Sequence, residues 1–165
     1  MSNLFICLCF FIILEITLKK ANLIRITVFC KDGDSCDQVK HALVRLVPFD
    51  VGKEKVPVTE KTATGFEEKK IRIIEIVLVK DRHCNAFLES IRQLLSDAQR
   101  TLIINQIETR LDDDLDFFLR LEKDSWLRNE IRISDSGNCF HVKVSLASFP
   151  KKREVARELV RGIFG

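Results

Sequence analysis

The feature of this sequence that most constrains its fold is the alternation of apolar and polar residues in four short segments. In residues 22–30, Ile24, Ile26 and Val28 alternate with Arg25 and Thr27, as in a strand with one buried face. The pattern recurs in residues 115–122, 130–134 and 139–147, and we expect the last two to pair as a hairpin across a turn. Such alternation is typical of antiparallel sheets with one face in water.

Other segments have the spacing of helices or of more deeply buried strands. Apolar residues at helical spacing predict a helix that ends before Pro48, two helices in residues 81–110 and a last helix that Pro150 opens. The two helices of residues 81–110 are expected to meet near Ser96. A short helical turn is expected at residues 124–128. Residues 71–79 are nearly all β-branched, which indicates a central strand covered on both faces. Residues 55–64 contain a proline and predict an edge strand or a loop.

The order of these elements predicts the fold class. The strands follow one another in groups rather than alternating regularly with helices. We therefore expect a single α+β domain in residues 21–165, with helices packed against a largely antiparallel or mixed sheet.

The first twenty residues stand apart from this domain. Residues 4–14 form an unbroken apolar run, shorter than the roughly 20 residues that span a bilayer as a helix. The segment has neither the basic start nor the small-residue cleavage site of a secretory signal. A further buried strand or helix, a membrane anchor, and translation from upstream of the true start all stay open. We do not expect a membrane partner.

The cysteines and the absent motifs narrow the function. The 6 cysteines form no C-x-x-C pair and mostly lie in apolar patterns, which favours free thiols and a cytoplasmic protein. Glycine-rich phosphate loops, nucleophile elbows and the H-E-x-x-H zinc motif are missing from the sequence. The acidic residues 112–116 are interpreted as a solvated turn, and neither His83 with Cys84 nor Cys139 with His141 has zinc-ligand spacing. We expect no cofactor, no metal and no catalytic residue.

Basic side chains share one face of the predicted sheet with an aromatic ring. By alternation, that face carries Phe118, Arg120, Arg132, His141 and Lys143. Cations beside a ring on an open sheet suit single-stranded or looped RNA, because phosphates pair with cations and bases stack on rings. The alternative is a solvated outer face without a partner.

The start of the last helix carries a second basic cluster. Lys151, Lys152 and Arg153 crowd its first turn, where the helix dipole favours acids. Arg157 and Arg161 continue the series, although nearby glutamates can pair with them. The net charge of +3 is small, so the argument rests on where the charges lie. A polyanionic partner would explain a cationic first turn.

The same stretch resembles a known family. Residues 119–124 (LRLEKD), 130–135 (EIRISD), 142–144 (VKV) and 149–154 (FPKKRE) are similar to an archaeal family of RNA-binding proteins, often described as exosome subunits or RNA-processing factors. The resemblance covers roughly residues 22–165. It implies a fold similar to that of the fifth large-subunit ribosomal protein. The family usually has Asp-Lys-Gln-Ala where this chain has EKDS in residues 122–125, so Lys123 is kept while its flanks differ.

We therefore hypothesise a non-catalytic RNA-binding protein that acts in RNA processing, with an exosome-type or ribosomal assembly as a candidate partner. The residues expected to contact RNA are Arg120, Lys123, Arg132, His141, Lys143, Lys151, Lys152 and Arg153. A base would stack on Phe118 or on Trp126, although Trp126 could equally lie in the core. The alternative is a protein-interaction module, such as a homodimer joined through a strand edge or the apolar N-terminus.

Overall fold

The computed structural model describes residues 18–31, 33–64 and 70–165, so the apolar run at residues 4–14 lies outside the described residues. The strands of the described chain are β1 (Ala21–Cys30), β2 (Val58–Thr64), β3 (Lys70–Leu78), β4 (Asp116–Glu122) and β5 (Cys139–Leu146). Its helices are α1 (Cys36–Arg45), α2 (Asp81–Leu94), α3 (Asp97–Asn105), α4 (Ile107–Arg110), α5 (Lys123–Leu127) and α6 (Arg153–Phe164). None of these helices is long and apolar enough to cross a membrane.

The five strands form one antiparallel sheet in the order β2-β3-β1-β5-β4. Ile24, Ile26 and Val28 of β1 are buried on the face that packs against α1 and α2, whereas Arg25 and Thr27 point to the other side. The second face is open, and we call it the open face. The predicted α+β fold with helices packed against an antiparallel sheet is confirmed.

β3 was predicted to be covered on both faces, but the structure covers only one of them. Ile74, Ile76 and Leu78 are buried on the helical side, but Ile73 and Val77 are only half-buried on the open face. A β-branched sequence indicates a strand but does not reveal whether a second layer covers it. The prediction of an edge strand at β2 is confirmed.

The predicted hairpin between residues 130–134 and 139–147 is wrong. Both edges of β5 are occupied, by β1 and by β4. Residues 130–134 instead run along the outer edge of β4, where the Glu122 amide donates to the Arg132 carbonyl (2.9 Å) and the Ser134 amide donates to the Arg120 carbonyl (2.8 Å). Turn-forming residues predict a reversal of the chain, but they do not determine which neighbouring strand the chain pairs with.

The helix boundaries follow local capping chemistry. Ser96 accepts a hydrogen bond from the Gln99 amide and Gln99 bonds back to the Ser96 amide, a capping box that separates α2 from α3 as predicted. The last helix begins at Arg153, three residues later than Pro150, so Lys151 and Lys152 precede its first turn.

The thiols of the described cysteines are free, as predicted, while Cys7 and Cys9 lie outside the described residues. Burial raises the pKa of Cys30 to about 12, with a further contribution from the neighbouring Cys36. Burial also raises the pKa of Cys84 to about 11. Both thiols are therefore protonated at neutral pH and are poor nucleophiles.

Candidate nucleic-acid interface

The open face brings together four of the side chains that alternation assigns to it. In the β4–β5 pairing, Phe118 lies opposite Lys143 and Arg120 lies opposite His141. On the other side of β5, Arg25 of β1 lies opposite Lys143. Directly opposed residues on one face of an antiparallel pair are neighbours, so these side chains form one surface across β4, β5 and β1.

Carboxylates are interspersed with the cations on this surface. Lys143 Nζ lies 2.6 Å from Asp116 Oδ2 and 5.6 Å from the centre of the Phe118 ring. The hydrogen bond to Asp116 raises the pKa of Lys143. Arg25 Nε lies 3.6 Å from Glu75 Oε2. A partner on this face would have to compete with these ion pairs, which are partly exposed and so stabilise the fold only weakly.

Arg120 and His141 have different electrostatic states. Arg120 is exposed and its Nη1 donates to the Asp135 carbonyl at 3.3 Å. Burial, together with the charge of Arg120, lowers the pKa of His141. His141 is therefore neutral at neutral pH, and its ring can bind RNA as a hydrogen-bonding or stacking group rather than as a cation. Its Nε2 lies 3.4 Å from the Cys139 Sγ.

A cleft of about 620 Å³ opens at the outer edge of β4, between α4 and the segment 130–135. Its walls include Gln106, Arg110, Phe118, Arg120, Asp135 and His141. We call it the β4 cleft. It joins the open face at Phe118 and Arg120, so an extended ligand on that face could reach into it.

Arg110 is the functional candidate that sequence reasoning missed. Its side chain is only 7% exposed, and burial lowers its pKa. The guanidinium donates twice to Gln106 Oε1, from Nη2 at 2.6 Å and from Nε at 3.1 Å, and its Nη1 lies 3.5 Å from the Phe118 carbonyl. The four-residue spacing of Gln106 and Arg110 was visible in the sequence, but it resembles an ordinary surface pair.

The structure gives Lys123 a structural position rather than a place at the interface. Its side chain is 2% exposed, and Nζ donates to Asp34 Oδ2 at 2.6 Å and to the Phe29 carbonyl at 3.3 Å. Burial alone would raise the pKa of Asp34, but the hydrogen bonds from Lys123 and from the Lys31 amide lower it. Because the ammonium is enclosed and paired, it does not reach a phosphate from this position, contrary to expectation.

Trp126 lies in the core, which was one of the two alternatives for it. It is 6% exposed, and its Nε1 donates to the Ala42 carbonyl at 2.8 Å. The guanidinium of Arg45 lies 4.7 Å from the ring centre. Phe118, which is 37% exposed on the open face, is therefore the ring of the two that a base can reach.

The cluster at the start of α6 divides into two parts. The Arg153 guanidinium donates to the carbonyls of Glu108 and Leu111 at 3.1 Å each and to the Asp112 carbonyl at 3.3 Å. These are carbonyls at the C-terminal end of α4, which a cation stabilises. Arg153 therefore has a structural role that the sequence did not show, and its charge no longer indicates a polyanionic partner.

Lys151 and Lys152 remain exposed, and neither makes an ion pair within residues 18–31, 33–64 and 70–165. Lys151 shares a shallow hollow with Asp114 and Asp116 at the end of the sheet where β5 ends. Phe149 is next to them and 94% exposed. Sequence reasoning did not single out Phe149 as a stacking residue, because exposure at this position depends on the tertiary fold.

Arg132 lies apart from these groups. It belongs to the segment along the outer edge of β4 and pairs with Glu130 at 3.0 Å, where both side chains are exposed. Of the eight expected RNA contacts, the structure thus brings Arg120, His141 and Lys143 together on the open face, with Arg132 at its border.

Comparison with known proteins identifies the family. A family model described as RNA binding matches residues 23–146. This range includes the whole β4 cleft and the five described strands, apart from the first two residues of β1. The chain belongs to this RNA-binding family. The match ends before Phe149, so Lys151 and Lys152 lie outside it.

Three relatives of the chain are archaeal proteins, as the resemblance implied. The chain is 26% identical over 142 residues to the RNA-binding protein PAB1135 of Pyrococcus abyssi, covering 86% of this chain and 92% of that one. Protein AF2318 from Archaeglobus fulgidus has the same fold with a TM-score of 0.77, 23% identity, and coverage of 87% of this chain and 99% of its own. The DUF54 protein Mth689 from Methanothermobacter thermautotrophicus has a TM-score of 0.72, 23% identity, and coverage of 88% and 99%. The likeness to a ribosomal protein and to exosome subunits stays a prediction.

Proposed function

We propose that this member of the family binds single-stranded or looped RNA on the open face, catalyses no reaction on it, and acts in RNA processing in the cytoplasm. The observation that carries the proposal is the group formed by Arg120, Phe118 and Lys143 on adjacent strands, within the region matched by the RNA-binding family. An exposed ring between two cations offers a base a stacking surface and offers the flanking phosphates two partners.

The carboxylates on the open face are compatible with an anionic ligand. Lys143 is held by Asp116 and Arg25 by Glu75, but these pairs are partly exposed. Such pairs contribute about 0–1 kcal/mol to stability, so a phosphate can replace a carboxylate at little cost. Asp116 and Glu75 would then limit binding to ligands whose phosphates lie directly over the cations.

A second group would extend the binding track beyond the sheet. Lys151 and Lys152 are exposed next to Phe149, at the end of the sheet where Lys143 pairs with Asp116. We propose that RNA runs from this group over Lys143 and Phe118 to Arg120, with Arg132 at the far border. The two cations would add sequence-independent affinity.

The non-catalytic part of the proposal rests on the family and on the state of the candidate nucleophiles. The buried thiols of Cys30 and Cys84 have a pKa of about 12 and about 11, so neither is a thiolate at neutral pH. His141, the histidine nearest to the proposed RNA track, has no described carboxylate partner that would orient it as a general base.

Fluorescence anisotropy with a labelled single-stranded RNA, measured over a series of salt concentrations, tests the proposal. The double substitution Arg120→Gln and Lys143→Gln should weaken binding and lower the slope of log affinity against log salt by about 0.7 per lost phosphate contact. The matched control is Lys53→Gln with Lys80→Gln, which removes the same charge at exposed positions beside α2, on the helical side of the sheet. Absence of binding at low salt, or an equal loss in the control, would contradict the proposal.

A second candidate function is protein interaction. Ile71, Ile73 and Val77 are half-buried on the open face of β3, and β2 is an edge strand whose outer side has no strand beside it in the described sheet. We propose this region as the surface by which the protein would join an exosome-type or ribosomal assembly, or a second copy of itself. Light scattering distinguishes the last case, because a stable dimer without RNA affinity would favour this candidate over the first.

A further inference from the structure

Arg110 is a buried charge with a poor counterion. Its side chain is 7% exposed, and its two short hydrogen bonds go to Gln106 Oε1, which is uncharged. In the part of the chain that the structure describes, its ion-pair partner is Asp135, whose Oδ1 lies 3.8 Å from Nη2. Burying a guanidinium is costly unless a close anion compensates it, so a protein gains little stability from this arrangement.

The orientation of Arg110 is fixed in advance. Gln106 holds both Nε and Nη2, and Nη1 points towards the Phe118 carbonyl at the edge of β4. The next residue, Leu111, pairs with Phe117, and Arg153 binds the Leu111 carbonyl. A guanidinium held in this way loses little conformational entropy when it binds an anion, and its planar donors suit a phosphate.

Asp135 is a weak and replaceable partner. Its side chain is 84% exposed, and 3.8 Å is too long for a hydrogen bond to Arg110. Its backbone carbonyl, by contrast, accepts a hydrogen bond from Arg120 Nη1 at 3.3 Å. The two arginines therefore converge on the Asp135 turn. Burial is the main cause that lowers the pKa of Arg110; the charge of Asp135 raises this pKa, and the charge of Arg120 has a smaller, lowering effect.

The remaining walls of the β4 cleft suit a base. Phe118 lies on one side and is 37% exposed, and the neutral His141 lies beside Arg120. The cleft volume of about 620 Å³ is within the usual range of roughly 300–1,000 Å³ for small-molecule sites. Two cations and an aromatic ring that line one cleft match the two parts of a nucleotide.

We infer that the β4 cleft binds a single unpaired nucleotide of the RNA, with its phosphate at Arg110 and Arg120 and its base against Phe118, and that Asp135 occupies the phosphate position in the free protein. The inference rests on the proposed function, and it adds a site for one unpaired nucleotide at the edge of the sheet, with the residues that would hold its phosphate and its base. Duplex RNA would not enter, because its bases are stacked and its strands are too wide for a cleft between α4 and one strand edge.

Three variants test the inference in anisotropy measurements with a single-stranded RNA and with the blunt duplex of the same sequence. Asp135→Asn removes the competing carboxylate, and we expect it to bind the single strand several-fold more tightly. Its matched control is Asp97→Asn, an exposed aspartate on α3 that pairs only with Arg100 in the described residues. Phe118→Leu and Arg110→Lys should each weaken single-strand binding by about tenfold, the value of one base–aromatic stack or one bidentate phosphate contact, and leave duplex binding unchanged.

The outcomes separate this inference from the proposed function. If the unchanged protein binds no RNA, the proposed function itself fails. If it binds RNA but Asp135→Asn behaves like Asp97→Asn, or if Phe118→Leu weakens single-strand and duplex binding equally, the cleft is not a nucleotide site while RNA binding stands. The affinity of Arg110→Lys is compared only if its melting temperature equals that of the unchanged protein. If the melting temperature falls, Asp135→Asn and Phe118→Leu alone decide whether the cleft is a nucleotide site.

Competition by uridine monophosphate and by inorganic phosphate provides a second readout. We expect uridine monophosphate to displace the single strand at lower concentration than inorganic phosphate does, because only the nucleotide also occupies the Phe118 wall. Equal competition by the two would show an anion site without a base pocket and would overturn the inference.

Discussion

Replacing Lys123 with methionine should reduce stability and leave RNA binding unchanged. The ammonium is 2% exposed and donates to Asp34 and to the Phe29 carbonyl. A hydrogen bond to a charged partner contributes about 1.5–3 kcal/mol. Asp34 is 27% exposed, so hydrogen bonds to water replace part of the interaction that Asp34 loses. Methionine is neutral, so it buries no charge at position 123. We expect a net loss of about 2 kcal/mol, which in a domain of this size lowers the melting temperature by about 4–8 °C.

Two further variants separate the contributions to this value. Lys123→Ala also removes three buried methylene groups at about 0.8 kcal/mol each, so its total loss should be about 4 kcal/mol. Lys123→Met combined with Asp34→Asn should cost less than the sum of the single changes, because each single change leaves the partner unpaired. Lys53→Met, at a position that is 86% exposed, is the control and should change stability by less than about 0.5 kcal/mol.

The assay is urea unfolding followed by circular dichroism, together with RNA anisotropy well below the melting temperature. If Lys123 contacted a phosphate, the salt slope of RNA binding would fall by about 0.7 in the methionine variant. A variant with unchanged stability and weakened RNA binding would refute the structural argument and restore the expectation drawn from the sequence.

Three other predictions concern residues whose roles the structure changes or specifies. Arg153→Gln should destabilise the fold by about 1–2 kcal/mol in urea unfolding, because the carbonyls at the end of α4 lose their donor; an effect below about 0.5 kcal/mol would contradict this. Trp126→Phe should cost about 1–3 kcal/mol by leaving the buried Ala42 carbonyl without the indole donor, while RNA affinity stays constant; a loss of affinity at constant stability would place the indole at the interface. Burial and Arg120 lower the pKa of His141, so the unfolded chain takes up a proton first, and stability should fall as the pH drops below about 6.5. His141→Gln should lose less stability than the unchanged protein between pH 7.5 and pH 5.5, and an equal loss would exclude this residue as a source of the pH dependence.

Sequence periodicity correctly placed the side chains of β1, β4 and β5 on their two faces. Arg120, His141 and Lys143 share the open face as expected, because the two-residue period of a strand is local and does not depend on which strands are neighbours. The junction of α2 and α3 near Ser96 and the edge position of β2 were predicted for the same reason: both follow from residues close together in the chain.

Errors arose where a contact joins distant parts of the chain. Lys123 is 89 residues from Asp34, and Arg153 is 45 residues from Glu108. The contact of Trp126 with Ala42, 84 residues away, likewise decided between two alternatives that the sequence left open. Lys123 and Arg153 are charged, so composition alone places them at the surface. Arg110 was missed for a different reason: its partners Gln106 and Phe118 are only four and eight residues away, but its burial depends on the fold around the β4 edge.

The sequence by itself determined the α+β class, the position of most strands and helices, and the orientation of the cations on the β4 and β5 strands. Only the tertiary structure decided which of those cations are available to a ligand. The physical reason is that orientation depends on the backbone period of one element, whereas availability depends on partners that other elements supply. That distinction removes Lys123 and Arg153 from the proposed interface and adds Arg110 in the β4 cleft as a candidate.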